Sequence, residues 1–364
     1  MLFADAHLDL AWSALDWNRD LKLPLADIRR TEIELNRTAH NRPPGRNTVC
    51  LPAMRQANLF LSLATTLTWL NMPEDRKRGF DAADLTYANG MSHVFYYRAL
   101  EAEGEARMIY DRAALDAHVA AWEAWDRAPA GKQPPLGFIL AAEGSDMIMG
   151  PWQVAHWWEM GLRVASLVHY GAGPYGFGHN MTGGLRPAGR ELLREFERVG
   201  MILDVTHLSD QGFWEALDLF KGIFLASHHN CRALVPGPRQ LSDEQIKALI
   251  ARDAVIGASF DDWMLYPDWP IDPVKPGFNE LVSLEDVVNH IDHICQIAGN
   301  ADHAALGTDL DGGFGNEETP RDLDNIADVQ KIPAILRRRG YSEADVEKIM
   351  WRNWVRLLQR AWPA

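Results

Sequence analysis

Eight short apolar runs punctuate the chain, at residues 2–8, 58–67, 136–142, 164–168, 201–206, 222–227, 254–260 and 304–308. Longer stretches with helical periodicity lie between several of them, at 187–199, 210–220, 242–251 and 284–297. Continuous apolar runs of this length suit strands buried on both faces, and their alternation with helices is the signature of βαβ units around a parallel sheet. Eight such units predict an α/β fold, a TIM-type (β/α)8 barrel. Ser242-Asp-Glu-Gln245 reads as a capping box, with Gln245 reaching back to the backbone that Ser242 caps. Ser342-Glu-Ala-Asp345 is a weaker start for a last helix running to about Arg360. Two proline-rich stretches, 18–56 and 263–278, read as irregular long loops after the first and seventh runs. Both leave the same end of the barrel, where they serve as walls or lids of a site or as structural or dimer-contact excursions. No repeat of fixed period and no low-complexity tract interrupts the pattern.

The chain has 364 residues, 47% hydrophobic and 24% charged, which is globular composition without the low hydrophobicity of disorder. An α/β barrel with insertions fills that length as a single domain, residues 1–364. A net charge of −14 makes a poor partner for nucleic-acid phosphates or anionic lipid, and Arg337-Arg338-Arg339 reads as a solvated helix end. Cys50, Cys231 and Cys295 are widely spaced and odd in number, which favours a reducing compartment. The first ten residues lack the basic and apolar regions of a signal peptide, no run reaches the roughly 18 apolar residues of a membrane span, and the C-terminus lacks a lipid-anchor tail. The expectation is a cytoplasmic protein with neither nucleic acid nor membrane as partner.

Polar residues end the apolar runs. Active sites of such barrels sit at the C-terminal ends of the strands. The first run leads into His7 and Asp9, the third ends at Glu143, the fourth at His169, the fifth at His207, the sixth at His228 and the eighth at Asp309. Residues i and i+2 of a strand share a face, so His7 and Asp9 can hold one ion between them. Imidazole and carboxylate are the donors Zn²⁺ accepts besides thiolate, and no second cysteine lies near any of these positions. Together His7, Asp9, His207, His228 and Asp309 make a metal or acid/base constellation. Glu143, in Ala-Ala-Glu-Gly, also reads as a helix N-cap neighbour. His229 should face away from His228. His40, His93, His118, His156, His179, His290 and His303 fall in helices or loops and read as structural.

Three motifs are set aside. Gly171-x-Gly173-x-x-Gly176 matches a dinucleotide fingerprint in form, but Pro174 interrupts it and loop follows where a helix should. Asp309-Leu-Asp311-Gly312 starts like a calcium loop and lacks the later ligands. Asn180-Met-Thr182 is a glycosylation sequon that a cytoplasmic chain would not use.

Taken in order, Asp5-Ala-His-Leu-Asp9, Glu143-Gly144, Gly161-Leu-Arg163 through His169, Gly189-Arg-Glu191 through His207, Ser227-His228-His-Asn230, Pro238-Arg239, Gly307-Thr-Asp309-Leu-Asp311-Gly312 and Arg339-Gly-Tyr-Ser342 resemble the membrane dipeptidase family within the amidohydrolase-like barrels. The resemblance covers nearly the whole chain. It implies two zinc ions bridged by Glu143, one held by His7 and Asp9 and the other by His207 and His228; other divalent metals fit the same donors. It implies His169 over the scissile carbonyl, Arg239 on the substrate's C-terminal carboxylate, Asp309 as acid/base, and a homodimer. The chain departs from the family at Glu143-Gly-Ser-Asp146, where relatives often read Glu-Gly-Gly-His. It departs again at Ser259-Phe-Asp-Asp262, where many carry a tyrosine, and at Trp351-Arg-Asn353, which replaces a glycine pair before the asparagine.

The implied reaction is hydrolysis of a dipeptide, including one with a D-residue at its C-terminal position, by a hydroxide that bridges the metals. Rival readings use the same site on N-acyl amino acids, lactams or other amides and esters, phosphoesters included. Farther off stand a metal-free binding module and, third, an NAD enzyme.

Overall fold

The structure, a computed structural model, describes residues 1–37, 43–76, 79–269 and 279–362. His40 and the part of the second proline-rich stretch at 270–278 lie outside the described residues. Parallel strands form where the apolar runs predict them. They are β1 (Phe3–Leu8), β2 (Leu59–Leu67), β4 (Leu136–Glu143), β5 (Leu162–Ser166), β6 (Ile202–Asp204), β7 (Phe224–Leu225), β8 (Ile256–Ala258) and β9 (Ala304–Leu306). All residues of these eight strands are buried, which explains why their sequences are continuously apolar and do not alternate.

One sheet runs β1-β2-β4-β5-β6-β7 and a second pairs β8 with β9. A bridge between Ala226 and Ile256 joins β7 to β8. On the other side, Asp309 N–H donates to the His7 carbonyl at 3.3 Å, and the Thr308 N–H and hydroxyl donate to the Asp5 carboxylate at 2.9 and 2.6 Å. The strands thus follow one another in a TIM-like α/β arrangement. A strand that the sequence pattern does not reveal, β3 (Ala106–Met108), pairs with Leu136–Phe138 at the start of β4. It holds three residues, and Arg107 in its middle is exposed, so it leaves no apolar run.

The later strands are shorter than their runs because the chain leaves the ladder early. Thr206, Ser227, Ser259 and Thr308 lie beyond the hydrogen-bonded strands, at the rim where the polar side chains gather. Helices Pro187–Val199, Asp210–Leu219, Asp243–Ala251 and Leu284–Ala298 lie where periodicity places them. Ser242 and Gln245 form the reciprocal cap. Ser342 caps the last helical stretch, which passes through a π-turn at Lys348–Arg352 before Asn353–Ala361. Asn353 directly follows that turn, and its side-chain amide donates to the Ala301 and Ala304 carbonyls at 2.7 and 2.9 Å, while Trp354 Nε1 donates to Leu306 O at 2.9 Å. The last helix is thereby docked on β9.

The stretch 18–56 is not irregular throughout. Helices Leu25–Glu34 and Leu51–Gln56 occupy part of it. Pro24 sits at the N-cap of one and Pro52 in the first turn of the other, positions where the missing N–H costs no helical hydrogen bond. Among the described residues, no helix is long and apolar enough to cross a membrane.

Candidate metal centre

Glu143, the last residue of β4, anchors the site. Its Oε1 lies 2.8 Å from His207 Nε2, 3.3 Å from His228 Nε2, 3.5 Å from His7 Nε2 and 3.5 Å from His169 Nε2. His7 Nε2 is 3.4 Å from Asp9 Oδ2 and 3.7 Å from Asp309 Oδ1. Three overlapping triads, His7/Asp9/Glu143, Glu143/His207/His228 and His7/His228/Asp309, each bring their donor atoms within 4.8 Å of one another. Glu143, His7 and His228 each belong to two of these triads, and of the three only Glu143 has two carboxylate oxygens with which to serve both sides. All the strand-end residues expected from the sequence, His7, Asp9, Glu143, His169, His207, His228 and Asp309, meet at this one rim.

The backbone is bent to put them there. His207 and Asp309 have φ of 71° and 60°, and Gly144 has 81°. Left-handed conformation at non-glycine residues costs about 1–3 kcal/mol and persists where the surroundings enforce it. It turns the chain sharply where these strands end, at the rim that holds the triads. Behind the imidazoles, Ser227 Oγ lies 2.9 Å from His228 Nδ1 and donates to Asp204 Oδ2 at 2.5 Å, which leaves His228 Nε2 to face Glu143.

The electrostatics suit a cation. Burial, with help from Arg239, holds His207 well below the ordinary histidine pKa; burial and the His7 charge do the same for His228. Both rings are therefore neutral and have a lone pair to give. Burial opposes a charge on His7, but the carboxylates of Glu143 and Asp9 outweigh it and push its pKa well up. Burial also raises Glu143, to about 6, and raises Asp309 well above the usual carboxylate range. His7 Nε2 and Asp9 Oδ1 are buried with no hydrogen-bond partner. Unpartnered buried donors of nitrogen and oxygen type, without thiolate, fit Zn²⁺ or another divalent ion. The free cysteines Cys50, Cys231 and Cys295 take no part in the triads.

Arg239 is 2% exposed, donating to His228 O at 2.9 Å, with Nη1 3.3 Å from His229 Nδ1. Its Nε has no hydrogen-bond partner, and among the described residues no carboxylate pairs with it. His229 thus faces Arg239 and not the triads, as its position after His228 predicts. His179 corrects the sequence reading. Read there as a structural loop residue, it lies at the site: its ring centroid is 5.3 Å from that of His207 and 4.4 Å from that of Tyr170, and its backbone N–H donates to His207 O at 2.8 Å. Tyr170, 4.7 Å from His169 and 5.0 Å from His207 between ring centroids, and Trp69, bonded to His169, were also not foreseen. Tyr170 directly follows His169, a strand-end signal that was available; aromatic residues are too common in cores for type alone to mark them.

Comparison with known proteins agrees with this geometry. The family model described as membrane dipeptidase, peptidase family M19, matches residues 1–362. A dipeptidase of Claviceps purpurea, tcpJ, is 35% identical over 179 residues, 48% of this chain and 38% of its own length. An uncharacterized Klebsiella pneumoniae protein from the pqqA 5′ region is 32% identical over 225 residues, 60% of this chain and 77% of its own. The match therefore spans well under two thirds of the Claviceps protein. In fold, the chain is similar to a metallopeptidase from Rhodobacter sphaeroides solved with a phosphinate mimic of the dipeptide L-Ala-D-Ala, with a TM-score of 0.76 at 20% identity, covering 100% of this chain and 99% of that one.

Proposed function

Because the chain belongs to the membrane dipeptidase family, peptidase family M19, we propose that it is a zinc-dependent dipeptidase that cleaves the peptide bond of short substrates with a free C-terminus, D-residues at that end included. The observation that carries this reading is the meeting of His7, Asp9, Glu143, His207 and His228 around one buried carboxylate oxygen. In the proposal His7, Asp9 and Glu143 hold one ion and Glu143, His207 and His228 the other. When bound, such a pair lowers the pKa of water enough to supply hydroxide at neutral pH and polarises the substrate carbonyl.

The chain's own side chains do the rest. Arg239, a buried cation without a carboxylate partner among the described residues, takes the substrate's C-terminal carboxylate with its planar fork. His169 turns Nε2 toward the Glu143 carboxylate, where it can donate to the oxyanion as the carbonyl becomes tetrahedral. Asp309, whose Oδ1 lies 3.7 Å from His7 Nε2 at the same rim, takes a proton from the attacking water. The new C–O bond forms, the C–N bond breaks with its electrons staying on nitrogen, and Asp309 returns the proton to that amine. The proposal extends to a full (β/α)8 barrel with long loops as walls of the site, to a single domain, and to a cytoplasmic homodimer.

The test is a substrate panel on zinc-loaded protein: dipeptides with L- and D-residues second, N-acyl amino acids, a lactam and a phosphoester. Hydrolysis confined to dipeptides supports the reading. Turnover of acyl, lactam or phosphoester substrates with dipeptides untouched would overturn it.

A further inference from the structure

Trp69 follows the end of β2 (Leu59–Leu67) and is held from three directions. Its ring packs edge-on to Trp12, 5.8 Å between centroids, in a small aromatic group with Trp17 and Leu67 that is separate from the main core. Its carbonyl accepts from Phe80 N–H at 2.8 Å. The next residue, Leu70, donates its N–H to Asp146 Oδ2 at 2.8 Å, and Asp146 is a buried side chain three residues after Glu143. So fixed, the indole Nε1–H donates to His169 Nδ1 at 3.0 Å.

A histidine nitrogen that accepts a hydrogen bond carries no proton, so the proton of the neutral ring sits on the other nitrogen. We propose that Trp69 is a positioning residue acting through His169: its N–H fixes the imidazole as the Nε2–H tautomer and aims that N–H at the place where the substrate's oxyanion forms. Indole is donor only, so the arrangement cannot reverse. It also makes His169 a hydrogen-bond donor and not a proton acceptor in the reaction, which leaves proton transfer to Asp309. Asp146 clamps the loop that carries the indole. The role in turnover rests on the dipeptidase reading; the tautomer itself does not.

The test uses zinc-loaded enzyme labelled with ¹⁵N-histidine, with the His169 signals identified by their loss in His169→Ala. In the wild type, Nδ1 should show the shift of an unprotonated nitrogen and Nε2 that of an N–H. Trp69→Phe keeps an aromatic ring and removes the donor; the two shifts should move toward a tautomer mixture. In kinetics on a cleaved dipeptide, Trp69→Phe should lower kcat about tenfold or more with KM little changed. In a His169→Ala background it should cause no further loss, because the two residues act as one unit. If Trp69→Phe does not fold, Asp146→Ala frees the Leu70 N–H while retaining the indole and should move the same shifts part of the way. Unchanged His169 shifts in the variants, or an equal kcat loss with and without His169, would overturn the proposal. Absence of dipeptide turnover in the wild type would sink the dipeptidase reading instead, and the nitrogen shifts would still decide the role of Trp69.

Discussion

Asp262 is fully buried, and neither of its carboxyl oxygens has a hydrogen-bond partner. Burial, followed by the nearby charges of Asp261, Glu318, Asp286 and Asp322, pushes its pKa up to about 9. A carboxyl raised in the folded state favours folding fully only below its unfolded pKa, and that stability is lost as pH rises through the folded value. Asp262→Asn cannot ionise, so its stability relative to the wild type should improve steadily from pH 4 to pH 9, by more than ~1.4 kcal/mol over that range, one pKa unit's worth. Urea unfolding at several pH values reads this, and a pH-independent difference would contradict it. At the proposed site, Arg239→Ala should mainly raise KM for dipeptides, whereas Asp309→Asn should mainly lower kcat, by about 10²-fold or more. Steady-state kinetics separate the two, and an unchanged KM in Arg239→Ala would remove its assigned role. His7, Asp9, His207, His228 and Asp309 were legible in the sequence because both chemistry and position at the ends of apolar runs mark them. Trp69 and His179 were not, since one looks like core and the other sits in a loop whose return to His207 no local pattern reveals.

Among the elements, helices with a cap or a strong apolar stripe were legible to within a residue or two. Pro187–Val199 starts on a proline and ends at Gly200 with φ of 84°, and Asp243–Ala251 carries the Ser242/Gln245 cap. The cap does more than start a helix, because Gln245 Nε2 also donates to Asp210 Oδ1 at 3.1 Å and ties two helices together. Ser242→Ala should cost about 1 kcal/mol of stability with dipeptide kinetics unchanged. Denaturant unfolding checks this, and a loss below a few tenths would mean that water replaces the serine. What stayed hidden was set by long-range contact. The short β3 exists because the start of β4 offers it a free edge, and the π-turn at Lys348–Arg352 coincides with the docking of Asn353 onto the carbonyls around β9. Neither cause is local in sequence.

At the scale of the molecule, a chain with net charge −14 gathers three carboxylates, Asp9, Glu143 and Asp309, among buried imidazoles at one rim. Such a cluster is costly without a cation to neutralise it. Binding to the folded state alone stabilises it, by about 2.7 kcal/mol when free metal is a hundredfold above Kd. Stripping the protein with a chelator should therefore lower its Tm and abolish dipeptide hydrolysis, with both restored by zinc. The TIM-like order of strands was legible from eight apolar runs, and the joining of the two sheets rests on features the runs do not show, the Ala226–Ile256 bridge and the Thr308–Asp5 hydrogen bonds. The most direct measurement is metal content per chain by mass spectrometry after zinc-supplemented expression, beside His207→Ala and His7→Ala. The account predicts close to two divalent ions in the wild type and fewer in each variant. Near-zero metal in the wild type, or an unchanged content in both variants, would contradict it.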